Sequence, residues 1–190
     1  MLPPALSGFR VLVVPGLHNS GPGHWQTRWQ QLAPDFERVE QANWDVPMLH
    51  DWSLQLAQQL RRSARPTLII AHSFGCLTTI HQARLDPGPI VGALLVAPAD
   101  PAKFGVAEVL QDVLLPFPSI VVGSTNDPWM QARRAAQWAK RWGGEFVNAG
   151  AKGHINAESD LGDWGFGHEL VRRLLRKVPH PLSNGRCICA

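Results

Sequence analysis

The run TLIIAHSFGCLTTIHQA, residues 67–83, decides how this chain is read. Thr67 to Ala71 are β-branched or apolar, as a strand buried on both faces requires. A helical pattern starts at Phe74, with no linker before it. Ser73 therefore stands on an abrupt strand-to-helix corner, with Ala71 and Gly75 on either side. Such a serine has two readings. Its side-chain oxygen caps the helix by accepting an N–H of the first turn, or the corner exposes its hydroxyl for attack on an electrophile.

Working outward, short apolar runs alternate with helical patterns. FRVLVV (9–14), FERVEQ (36–41), TLIIAH (67–72), IVGALLVAP (90–98), SIVVGS (119–124) and GEFVNAG (144–150) read as strands, the second polar enough for a sheet edge. Helical spacing falls at 24–33, 52–63, 74–85, 129–142 and 161–177, with a further possible helix, VAEVLQDVLL, between 99 and 117. Alternation of this kind predicts an α/β fold in three layers, α/β/α, with about six parallel strands and helices on both faces. Residues 1–178 are expected to form a single domain, and 179–190 a disordered tail.

The chain has 190 residues, 45% hydrophobic and 17% charged, with a formal net charge of +3, an ordinary composition for a globular protein. Its basic residues are scattered. Arg172, Arg173, Arg176 and Lys177 cluster on a helical pattern and read as a solvated face, so no nucleic-acid partner is expected. No apolar run reaches the length of a membrane span, and MLPPALSGFR does not read as a signal peptide. Cys76, Cys187 and Cys189 show no framework spacing, so a cytoplasmic location is expected.

In parallel sheets, ligands bind beyond the carboxyl ends of the strands. The residues just after the strands are Gly16-Leu17-His18, then Ser73-Phe74-Gly75, then Asn126-Asp127-Pro128, then Gly153-His154. A serine, an aspartate and a histidine thus share one edge. A serine hydroxyl needs a base to attack at neutral pH, and an imidazole takes its proton. A buried carboxylate then orients that imidazole. Asp100, after the fourth strand, is a rival acid. His72 is expected to pack beside the corner, and Trp25 and Trp129 either wall a pocket or fill the core. The loop GLHNSGPGH lacks the Lys-Ser/Thr ending of a phosphate-binding loop. No ligand spacing supports a metal at His18, His24 and His72, so neither cofactor nor metal is expected.

AHSFG resembles the nucleophile elbow G-x-S-x-G of α/β-hydrolases, with Ala71 at the first glycine. Together with RVLVVPGLHNSGPGHWQ, VVGSTNDPW and GHIN, it is similar to the serine hydrolase family that includes retinoblastoma-binding protein nine and compact bacterial relatives. The resemblance covers roughly residues 9–177. It implies an α/β-hydrolase core with a minimal lid or none, and a catalytic Ser73, Asp127 and His154. The oxyanion donors it implies are Phe74 and a residue around Leu17 or His18, and His18 could also line the pocket. The short 99–117 segment favours a small acyl ester, thioester or amide as the substrate. Two alternatives stand beside hydrolysis: a protein-binding module with little turnover, and an acyltransferase using the same three residues.

Overall fold

The computed structural model describes residues 3–179; the expected tail lies almost wholly outside them. Six strands form one sheet: β1 (Arg10–Val14), β2 (Glu37–Arg38), β3 (Thr67–His72), β4 (Ile90–Val96), β5 (Ser119–Gly123) and β6 (Glu145–Asn148). Every pairing is parallel and the order is β2-β1-β3-β4-β5-β6. From β1 the chain runs outward to β2, then returns to β3 on the other side of β1. The strand order therefore reverses at the β1/β3 boundary.

The strands are apolar because both faces are covered. Alternate side chains sort into two cores, as the two-residue period demands. Leu12, Val14, Ile69, Ala71 and Leu95 pack with α2 (Leu49–Arg61), α3 (Phe74–Leu85) and α5 (Ala132–Arg141). Val11, Val13, Leu68, Ile70 and Leu94 pack with α1 (Trp25–Leu32) and α6 (Gly165–Leu175). Val14 pairs with Ala71 and His72 with Val96, so the ends of β1, β3 and β4 are level. The loops that follow them meet at one edge.

Several elements are shorter than the sequence suggests. β2 keeps only two residues. Between 99 and 117 the regular helix is α4 (Ala107–Leu110) alone. Val113, Leu115 and Phe117 are buried while Leu114 is exposed, so this stretch alternates as it leads into β5 instead of continuing a helix. Helix α5 starts at Ala132, past a turn in which Asp127 accepts the Trp129 N–H. Among the described residues, no helix is long and apolar enough to cross a membrane.

Candidate active site

Ser73 occupies the corner between β3 and α3 with φ 53° and ψ −123°, a conformation that non-glycine residues rarely adopt. Its backbone N–H donates to the Val96 carbonyl at 3.0 Å. Two glycines make room for the corner. A Cβ on Gly75 would lie 2.3 Å from the Val14 carbonyl oxygen, and one on Gly16 would lie 2.6 Å from Ser73 Cβ. Ser73 stands at the N-cap position of α3, yet its side chain makes no capping bond. Its Oγ lies 2.9 Å from His154 Nε2 instead. The helix-capping reading of this serine is thereby set aside.

His154 follows β6 on a loop turned at Gly153, whose φ is 53°. Its Nδ1 is 2.9 Å from Asp127 Oδ2 and 3.0 Å from Oδ1. A carboxylate can only accept, so Nδ1 carries the proton and Nε2 offers its lone pair to the Ser73 hydroxyl. The Asp127 side chain is only 1% exposed, and its Oδ1 also accepts the Trp129 N–H at 2.9 Å. The segment that supplies Asp127 also braces the histidine loop. Ser124 Oγ accepts the Lys152 N–H at 2.9 Å, and Asn126 Oδ1 accepts the Gly153 N–H at 2.7 Å. Sequence reasoning quoted Ser124 and Asn126 but gave them no part; only their position in the same turn as Asp127 hinted at one.

Asp100, the rival acid, is engaged elsewhere. It accepts from Arg134 Nε at 2.5 Å and Nη2 at 2.9 Å, and from the Ala102 N–H at 3.0 Å. These bonds raise the Arg134 guanidinium above its usual range.

Of the expected oxyanion pair, His18 departs from the expectation. Its N–H is taken by the Trp44 carbonyl at 3.0 Å, and its side chain, 73% exposed, meets Asp45 at 2.9 Å. The Leu17 N–H has no partner among the described residues. Phe74 is the first residue of α3, so its N–H has no acceptor within the helix.

Three histidine rings stack edge to face behind the corner. His24 and His72 have centroids 4.7 Å apart, His72 and His154 4.9 Å. His72 Nε2 donates to the His154 carbonyl at 2.9 Å. Burial holds His72 well below the usual histidine range, with His24 and His154 adding repulsion. Burial, Arg38 and His154 together lower His24 to about 3.

Trp129 is half exposed, with its ring 6.2 Å from that of His154. Trp25 belongs to the core and donates from Nε1 to the Ile155 carbonyl at 2.8 Å. Cys76 is buried, and burial raises its thiol well above the usual range. A cleft of about 540 Å³ lies among Gly150, Lys152, Leu161, Trp164 and Phe166. It shares Lys152 with the histidine loop but includes none of Ser73, Asp127 and His154.

The model of the family described as serine hydrolase matches residues 11–173. A structure described as a YdeN-like hydrolase of Pectobacterium atrosepticum is 34% identical, with a TM-score of 0.88, covering 92% of this chain and 95% of its own. The ydeN product of B. subtilis is 18% identical with a TM-score of 0.72, covering 89% and 100%. The esterase RhEst1 of Rhodococcus sp. is 11% identical with a TM-score of 0.65, covering 91% and 92%. The last two share the fold. No curated protein matches the chain.

Proposed function

The chain belongs to the serine hydrolase family, and we propose that it cleaves small acyl esters, thioesters or amides through an acyl-enzyme on Ser73. The observation that carries this reading is the position of His154. One ring nitrogen faces Ser73 Oγ and the other faces the Asp127 carboxylate, each at 2.9 Å.

In the first half-reaction, Ser73 Oγ attacks the substrate carbonyl carbon as its proton passes to His154 Nε2. Asp127 stabilises the imidazolium through its bond to Nδ1. The tetrahedral oxyanion is received by the Phe74 N–H, at the favourable end of the α3 dipole, and by the Leu17 N–H. Collapse breaks the bond to the leaving group, which takes the proton from His154. Water then repeats the sequence on the acyl-enzyme and releases the acid. Phe104 packs its ring 5.0 Å from that of Phe74, and Leu17, whose N–H is the second proposed oxyanion donor, is partly buried against the same core; these two are apolar side chains at the corner. They favour an apolar acyl group, and the one-turn α4 leaves little cover for a long chain.

Fluorophosphonate labelling, read by intact mass, tests the proposal. Wild type gains one adduct and Ser73→Ala gains none; the wild type then turns over short acyl esters. A folded wild type that takes no adduct overturns the nucleophile assignment.

A further inference from the structure

We infer that His72 is a positioning residue that sets the reach of His154 to Ser73. The inference rests on the nucleophile-and-base reading above. Ser73 and His154 are 81 residues apart in sequence. A second, much shorter path joins them. His72, the last residue of β3, donates from Nε2 to the His154 carbonyl at 2.9 Å, and Ser73 is the next residue along. One peptide link and one hydrogen bond therefore separate the corner from the backbone of the base. His72 is 5% exposed, on a strand buried throughout. Because a carbonyl only accepts, Nε2 carries the hydrogen and the ring is a fixed donor.

The loop needs such an anchor. Ile155, next to the base, has φ 50°, where a β-branched residue is strained and persists only under restraint from its surroundings. The restraints fall on consecutive carbonyls: His72 holds that of His154, and Trp25 Nε1 holds that of Ile155 at 2.8 Å. His24 backs this arrangement. Its Nδ1 accepts the Gln26 N–H at 3.1 Å, capping α1, and its ring packs edge-on against His72. A displacement of about 1 Å between base and nucleophile is enough to cost on the order of a hundredfold in rate.

Two substitutions separate positioning from core filling. His72→Phe keeps a ring and loses the donor; His72→Gln keeps an N–H at comparable reach. On a short acyl ester, His72→Phe should lower kcat by about 10- to 100-fold with KM within about twofold. Labelling of Ser73 should slow in parallel, and His72→Gln should recover most of both. The downfield proton resonance of His154 Nδ1–H should broaden or shift in His72→Phe alone.

Wild-type kcat in folded His72→Phe, or equal losses in both variants, overturns the inference. Should His72→Phe not fold, Trp25→Phe carries the test. It removes the neighbouring anchor and should lower kcat at unchanged KM; an unchanged kcat refutes the anchoring role of the two carbonyl bonds. Failure of the underlying reading looks different: wild type itself takes no adduct, or Ser73→Ala still takes one.

Discussion

Replacing one carboxylate oxygen by an amide nitrogen at Asp127 tests the site most directly. When Ser73 gives up its proton, His154 becomes a cation beside the Asp127 carboxylate, at 2.9 Å. The carboxylate is buried, but effective dielectric constants of about 20 describe such pairs best, which makes the attraction at 2.9 Å worth about 6 kcal/mol. Asp127→Asn removes that charge and offers Nδ1–H at best one acceptor, because the Trp129 N–H competes for the same oxygen. The loss converts to roughly four powers of ten in kcat.

Asp100→Asn is the internal control. Its partner Arg134 is 43% exposed, so losing the ion pair should lower stability by about 1 kcal/mol and leave kcat within about threefold. The assay is kcat and KM on a short acyl ester, with Tm measured to confirm that both variants fold. Equal losses would refute the assignment of Asp127, and the reverse ranking would move the acid to Asp100.

Three further outcomes are expected. Stability should fall in acid through His24, which stays neutral in the fold down to about 3 but takes up a proton near its usual 6.5 when unfolded. Its contribution is complete above that value and is lost as pH falls, tenfold in the folding equilibrium per unit; by pH 4.5 wild type should have lost about 3 kcal/mol more than His24→Asn, which keeps the cap, and parallel urea curves for the two would refute it. Gly75→Ala should destabilise by at least about 1–3 kcal/mol and suppress labelling, because its Cβ would meet the Val14 and Pro15 carbonyls at 2.3 and 2.4 Å. Ser73→Gly should melt about 2–4 °C above Ser73→Ala, since glycine tolerates φ 53° and both lack the hydroxyl; an equal Tm would show that the corner stores no strain.

The site was legible to the extent that it lies at strand ends. Leu12, Ile69, Leu94 and Val121 mark their strands because both sheet faces are apolar, and this places Ser73, Asp127 and His154 on one edge. Roles that depend on where one loop lands on another were not legible. Whether the N–H of Leu17 or of His18 stays open depends on the Trp44 carbonyl, from a loop beyond β2. Asp100 and Asp127 each follow a strand and each precede a proline; only the arrival of Arg134 from α5 separates them. The apolar residues of 106–115 suggested a longer helix, because part of a helical repeat and part of an alternating one cannot be told apart over so few positions.

The aromatic composition turns the site into its own optical reporter. The chain has eight tryptophans and no tyrosine. Trp129 is the tryptophan that stands well out into solvent, at 53% exposure, and it is the one beside His154. A soluble collisional quencher such as acrylamide should therefore reach Trp129 first, leaving buried indoles such as Trp25, Trp29 and Trp142 emitting. An acyl group or inhibitor seated over Ser73 would shield that indole, so the quenchable fraction of the emission would follow occupancy in real time, without a chromogenic substrate.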